Sequence, residues 1–420
     1  PRGSTSYLGF ASSRSGDDER GAMKIVCFSE IQWRYVRTRK QQVLSRFPAD
    51  WEILFLSTIV RGKPNNLRPM RDGRVVHVCV PVFKNFPQPW ARALFAAPPA
   101  RFLWNVVLWC WLQAIFLATG FRGRGRVFYV SNIYYASVLP FLRRSIVLYD
   151  CNDDHLAFPH TPRWAKGYFR RLVRAADLII AVSTRLAELL GRSGASRVDL
   201  VGNGVDHELL RAAADSGIPD EMRDVPRPVI GYSGAVAQWF DFDLLDRVAA
   251  SFPRSSIVMV GPLFGDREGE LRALAARRGN VFHLGSKPYE RLGAYIAAMD
   301  VCIIPLKTND LMRSADPNKL YEYAACGRPI VTMRHSDDLA ALGGLIHVAS
   351  SHEEFVEAIR LALASGANDD KLREFARARS WQARSDEIAS LIVETMAGKG
   401  APEARSPGAR TGRIADPQRR

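Results

Sequence analysis

The chain has 420 residues, too many for one ordinary domain, so two domains are expected, and its 47% hydrophobic content is enough for sizeable cores. Six scattered cysteines with no Cys-x-x-Cys pair argue against a disulfide framework or a cysteine-bound zinc. A formal charge of +15 calls for an anionic partner, but no DNA- or RNA-binding motif accompanies it and no nucleic-acid partner is expected.

In chain order, residues 1–22 lack the apolar run of a signal peptide and read as a flexible leader. Met23 opens "MKIVCFSE", a first buried strand followed by Glu30. Gln32 to Ala49 then carries Arg34, Arg37, Arg39, Lys40 and Arg46 with no acid. Short runs "EILFLS", "VVHVCVPV", "VFYVSN", "SIVLYD", "LIIAVS" and "VDLVGNGVD" follow as far as Asp206.

Within this half lies "RFLWNVVLWCWLQAIFLATGF", Arg101 to Phe121, whose length approaches the membrane-spanning range. Asn105 and Gln113 are eight apart, on one helical face, and arginines lie near both ends. Buried, interfacial and spanning helices all remain open for it. A second basic cluster, Arg163, Lys166, Arg170, Arg171 and Arg174, favours an anionic membrane surface.

A connection over residues 206–228 leads to "PVIGYSG", "SSIVMVG", "NVFHLG", "DVCIIPL", "RPIVTM" and "LIHVAS", again with helices between. Such alternation predicts an α/β chain with two doubly wound, Rossmann-like domains, residues 23–205 and 229–370, facing across a cleft. Ligands bind at the carboxyl ends of such sheets. Helical residues 371–397 are expected to return to the first domain, and 398–420 to form a disordered basic tail. No Gly-x-Gly-x-x-Gly follows a strand, which argues against a dinucleotide-dependent dehydrogenase.

The residues that carry chemistry cluster in three places. "DPNKLYEYAACGRPIV", Asp316 to Val331, puts Lys319 and Glu322 at the start of a helix. A helix N-terminus with a lysine suits phosphate, and a glutamate one turn on can accept from sugar hydroxyls. Solvated charges on a capped helix are the plainer alternative. Gly231 and Gly234 would let backbone approach phosphate, or merely turn the chain. Lys307 after "IIPL" is a further cation. In "SIVLYDCNDDHLAF", a buried-type strand ends in Asp150, Asp153 and Asp154, candidates for a general base, with N-capping as the alternative role. Glu30 holds the corresponding place after the first strand.

Together, "ADPNKLYEYAACGRPIV", "NGVD" (Asn203–Asp206), "IGYSG" (Ile230–Gly234) and "HLGSKPYERL" (His283–Leu292) resemble the GT-B glycosyltransferases. The nearest group is the family 4-like enzymes of bacterial polysaccharide assembly, in the branch with a "KLYEY" motif, and the likeness runs from Met23 to Met396. It implies a metal-independent transferase with no cofactor, using a nucleotide sugar, with UDP as the expected nucleotide. Glu322 matches the second acid of the Glu-x7-Glu motif and would accept the ribose hydroxyls. The first acid would fall at Ser314 and is missing. The Arg and Lys pair that often follows the first strand of the second domain is absent from Gly234–Trp239, which leaves Lys319, then Lys307, to compensate the diphosphate. Asn318 and Tyr321 share that helical turn, and the turn with Ser286, Lys287 and Pro288 would meet the base. Asp154, Asp153, Asp150 or Glu30 would supply the catalytic base. A lipid-linked saccharide acceptor, and a cytoplasmic enzyme peripheral on the inner face of the membrane, complete what the likeness implies. A nucleotide-binding relative without activity, an inverting glucuronosyltransferase of the xanthan-assembly type and a sugar-nucleotide epimerase are the alternatives.

Overall fold

Both sets of apolar runs become parallel sheets. The computed structural model describes residues 23–400 apart from 35–36, 61–63, 83–88, 124, 143, 145, 159–160 and 366–368, so the leader and residues 401–420 lie outside the described residues. The first sheet holds β1 (Lys24–Phe28), β2 (Glu52–Thr58), β3 (Met70–Asp72), β4 (Val75–Val80), β5 (Arg126–Val130), β6 (Ile146–Cys151), β7 (Leu178–Ala181) and β8 (Asp199–Leu200). Its order is β3-β4-β2-β1-β5-β6-β7-β8, and only β3 runs antiparallel. In the central register, Cys27 sits between Phe55 and Tyr129. β1, β5 and β6 are buried on both faces, which is why they read as continuous apolar runs rather than alternating ones.

The second sheet holds β9 (Val229–Ser233), β10 (Ser256–Val260), β11 (Val281–His283), β12 (Val301–Ile304), β13 (Ile330–Met333) and β14 (His347–Ala349), in the order β11-β10-β9-β12-β13-β14. The order reverses between β1 and β5 in the first sheet and between β9 and β12 in the second. Crevices outside those points are where such sheets take ligands.

Helices cover the faces. In the first half these include α1 (Arg39–Leu44), α2 (Pro89–Ala96), α3 (Pro98–Thr119), α4 (Ala165–Ala175) and α5 (Thr184–Arg192). The connection between the sheets is itself helical over His207–Asp215 and Asp220–Arg223. The final helix, Trp381–Gly400, packs Trp381, Ile388 and Ile392 into the same core as Ile25, Ile53 and Val43 of the first half. Ser385 Oγ donates to the Val43 carbonyl across 3.0 Å. This helix also takes in Gly398–Gly400, read from the sequence as the start of a disordered tail.

Two expectations are revised. Arg39 and Lys40, counted as part of a basic surface, are 3% and 2% exposed and serve the interior. Around α3, one stripe packs on the domain: Leu108, Leu112, Ile115 and Phe116 are buried, Trp104 Nε1 donates to the Pro81 carbonyl (3.1 Å), and Asn105 accepts from Ser137 Oγ (2.8 Å). The rest of the helix is exposed and still apolar, so it is neither wholly core nor free of the domain.

Candidate active site

The second sheet supplies the more open half. Gly234 follows β9 and Gly261 follows β10, with φ of 139° and 140°, values that side chains other than glycine rarely adopt. Gly234 N–H donates to the Val260 carbonyl (2.8 Å), and Gly261 N–H to that of Gly285 (2.9 Å), so three strand ends are tied together. A Cβ on Gly234 would lie 2.3 Å from Lys319 Cε and 2.8 Å from its Nζ, so the lysine occupies the notch that glycine leaves. Gly231 plays no such part. A Cβ there would strike Met299 Sδ at 2.0 Å, so this glycine serves core packing and not phosphate approach.

Lys319 and Glu322 lie in the helix Asn318–Ala325, whose N-terminus follows the Asp316-Pro317 turn. Lys319 Nζ stands 5.4 Å from the ring centre of the buried Tyr232. Burial pulls the Lys319 ammonium below its ordinary range, and Glu322 partly restores it. Burial pushes Glu322 up to about 7, and Lys319 opposes the shift. Neither side chain has a hydrogen bond or ion pair with another described residue. A half-buried ammonium and carboxyl that lack partners suit a ligand with an anionic end and a hydroxylated one.

His335, after β13, was not singled out in the sequence. It is 1% exposed, and its Nδ1 lies 3.1 Å from the Met333 carbonyl, which makes Nδ1 the donor and leaves Nε2 as a buried acceptor. Burial, opposed by the hydrogen bond to the Met333 carbonyl and aided by the Lys319 charge, holds it down at about 4, so it is neutral at pH 7. It lines a cavity of about 410 Å³ with Thr184 of the first half and Thr308, Arg313 and Arg334 of the second. Asn318 Oδ1 is also buried without a partner. Lys307 sits at the β9–β12 crevice, its N–H donating to the Trp239 carbonyl (2.9 Å).

Other nucleotide candidates are already occupied. Tyr321 is buried, donates its hydroxyl to Asp316 (2.8 Å) and stacks on Phe375, so it braces the helix and does not face a ligand. Lys287 Nζ donates to Glu221 (2.7 Å), which leaves the exposed Ser286 and Pro288 backbone as what that turn offers a base. Tyr289, one residue on, has its hydroxyl pushed up by burial and by the Glu322 charge, which places it beside the same helix.

The first sheet supplies carboxylates. Asp150 is fully buried, accepts from Arg39 Nε at 3.0 Å through both oxygens and from the Tyr129 hydroxyl, and is closed to any substrate. Glu30 lies at the β1–β5 switch point, paired with Lys40 and accepting from Ser131 Oγ (3.2 Å). Asp154 Oδ1 accepts from Leu156 N–H (3.0 Å) and Ala157 N–H (3.2 Å), a capped turn that aligns the carboxylate. Asp153 accepts from Asn152 Nδ2 (3.0 Å). Asp153 and Asp154 retain solvent contact, unlike the fully buried Asp150.

The two halves meet at these strand ends. Ser183 Oγ, after β7, donates to the Ser314 carbonyl (2.9 Å), and Thr184 N–H donates to Asp338 (3.0 Å). Asn203 N–H and Nδ2 donate to the Asp316 carboxylate (2.6 Å) and carbonyl (2.7 Å). Ser314, where the resemblance wanted an acid, is 2% exposed and fills a place in this seam.

Residues 227–365 match the family described as glycosyl transferases group 1. A Bacillus subtilis (strain 168) protein described as "Putative teichuronic acid biosynthesis glycosyltransferase TuaH" is 25% identical over 197 residues, 44% of this chain and 49% of that protein. The chain thus spans about half the length of this curated relative. Among solved structures, sucrose-phosphate synthase from Thermosynechococcus elongatus superposes with a TM-score of 0.67 at 15% identity, covering 90% of this chain and 100% of that one. The E. coli trehalose-6-phosphate protein bound with UDP-2-fluoro glucose gives 0.67 at 10% identity, over 89% of this chain and 99% of that one. Anabaena HepE in complex with UDP gives 0.62 at 15% identity, over 89% and 100%. The chain has the two-domain GT-B fold of glycosyltransferases, and its residues 227–365 match the group 1 glycosyl transferases.

Proposed function

We propose that the protein transfers a sugar from a uridine diphosphate donor, held on the second sheet, to a saccharide acceptor carried on a lipid and held against the first. The observation that carries this reading is the Lys319–Glu322 pair at the second switch point, with the ammonium lodged in the Gly234 notch. Lys319 and the helix N-terminus would take the diphosphate, Glu322 the ribose hydroxyls, and the turn at Ser286–Pro288 the base. His335 Nε2 is an acceptor for a donor-sugar hydroxyl. In the reaction, an acceptor oxygen bonds to the anomeric carbon, the bond from that carbon to the diphosphate oxygen breaks, and UDP leaves. The acceptor proton passes to Asp154 or Asp153. No resident metal is required, because lysine and helix dipole oppose the phosphate charge. Uridine is favoured because HepE and the E. coli protein were solved with UDP and a UDP-sugar. A role in bacterial surface-polysaccharide assembly is favoured by the likeness to a protein described for teichuronic acid biosynthesis.

A binding protein without transfer is the second reading, and Ser314 favours it, since the usual acid toward the donor sugar is absent. The test is a thermal-shift panel of nucleoside diphosphates and UDP-sugars, followed by UDP release with a lipid-linked acceptor. Stabilisation by UDP together with acceptor-dependent release is the expected result. UDP binding with no release from any sugar would establish the second reading, and no nucleotide shift would reject both.

A further inference from the structure

A helix on a water-facing surface normally turns a polar face outward. α3 does not. Its outward residues include Phe102 (68% exposed), Leu103 (66%), Val106, Trp109, Trp111 and Leu117 (63%), with no charged side chain among the outward positions from Phe102 to Ala118. The patch extends beyond the helix. Trp90 (69%) and Leu94 are exposed on α2, which packs on α3 through a Phe95–Trp104 ring contact at 5.9 Å. Phe141 (69%) joins it, its carbonyl accepting from Trp109 Nε1 at 3.3 Å. Contiguous apolar surface of this kind marks a partner.

What lies beside the patch identifies that partner. The Arg101 guanidinium, in the first turns of α3, stacks over Trp164 at 5.2 Å, and Trp164 contacts Tyr168 of α4 at 5.0 Å. From Arg163 to Arg174 the exposed side chains include Arg163, Lys166, Arg170, Arg171 and Arg174, and no acid lies in that stretch. Aromatic rings with an apolar face, flanked by cations, match the boundary between acyl chains and anionic headgroups. A second copy of this chain fits worse, because pairing the patches would bring two cationic helices together. Membrane spanning is opposed by the buried stripe, since withdrawing α3 would strip Leu108, Leu112, Ile115 and Phe116 from the core.

We propose that α2, α3 and Phe141 form a docking surface that lies in the interface of an anionic lipid membrane, with α4 supplying the electrostatic attraction. This inference stands apart from the catalytic reading, since it rests on different residues.

The test is co-flotation with vesicles of phosphatidylcholine alone and of phosphatidylcholine with phosphatidylglycerol. Expected is partition onto the anionic vesicles at least tenfold above the neutral ones at low salt, falling but persisting at high salt, because salt does not screen the apolar part. F102E/L103E should lose binding at least tenfold in both salts. R170E/R171E should lose it mainly at low salt. UDP affinity, measured for each variant, reports the fold and the donor site separately. No flotation by the wild type, flotation unchanged in F102E/L103E, or a wild-type dimer that F102E/L103E dissolves without any vesicle binding would each overturn the proposal.

Discussion

Asn203 grips Asp316 twice, with its N–H on the carboxylate at 2.6 Å and its side-chain amide on the carbonyl at 2.7 Å. On one side Asn203 receives Arg39 NH1 (3.4 Å), the arginine that pairs with Asp150, and on the other Asp316 anchors the Tyr321 hydroxyl. The helix bearing Lys319 and Glu322 is therefore set against the first sheet by one polar chain. Gly202 allows it, since a Cβ there would sit 3.1 Å from Asp316 Oδ2.

Cutting that chain should loosen donor binding from a distance. Asn203→Ala removes the side-chain donor while keeping the backbone one, and is expected to lower stability by about 1–3 kcal/mol, because buried acceptors lose a partner. UDP affinity should fall several-fold although Asn203 touches no ligand. Titration calorimetry and urea unfolding on the same variant check it, and unchanged UDP affinity would show the seam to be purely structural.

Lys319→Ala deletes the charge aimed at the diphosphate. UDP binding should weaken roughly 30- to 800-fold, about 2–4 kcal/mol, while uridine binding barely changes. Gly234→Ala should have the same signature, since the new methyl would lie 2.3 Å from Lys319 Cε. An equal loss for uridine and UDP would move the phosphate to Lys307 or to backbone N–H groups.

Glu322 makes stability depend on pH. Its folded value of about 7 lies above the ordinary 4.5 of a glutamate carboxyl. Across that window the unfolded chain ionises the group and the folded chain does not, so its contribution is present below pH 4.5 and lost as pH rises through 7. Glu322→Gln should abolish this slope and stabilise the unliganded protein above pH 7 by about 1–2 kcal/mol, part of the gain being offset because Lys319 loses its counter-charge. Urea midpoints at pH 5 and pH 8 measure it. The same pH slope in both proteins would mean that Glu322 is not held in its protonated form.

Asp154→Asn keeps the Oδ1 acceptor that caps the 156–157 turn but removes the charge. Transfer should fall by about 10²–10⁴-fold with UDP affinity and melting temperature unchanged, the range expected for loss of a general base. Asp150→Ala should instead destabilise the fold by about 3–5 kcal/mol, because it strands Arg39 in the core. Full transfer activity in both Asp154→Asn and Asp153→Asn would redirect the search for the base to Glu30.

Local order was legible in the chain itself. Every apolar run named as a strand became one, and those buried on both faces, such as β5 and β6, carry near-continuous apolar sequence. β3 was missed for the converse reason: Met70–Asp72 lies on the surface and leaves no apolar signature. The Lys319–Glu322 spacing was equally readable, since a separation of three on a helix puts two side chains on the same face whatever surrounds them.

Which charges are free depends on neighbours remote in sequence, and there only the tertiary structure decided. Asp150 and Asp154 look alike in "YDCNDD", yet Arg39, 111 positions away, buries one, while a local turn aligns the other. Lys287 and Tyr321 read as ligand contacts until Glu221 and Asp316 claimed them. His335 carried no signal, because its value to a ligand lies in burial beside Lys319. α3 is the clearest case: apart from Asn105 and Gln113 it is apolar along most of its length, and only packing one stripe on the domain revealed which residues stay exposed. Sequence determines what each segment can bury. Assembly determines what remains uncovered, because pairing and burial are properties of contacts between distant segments.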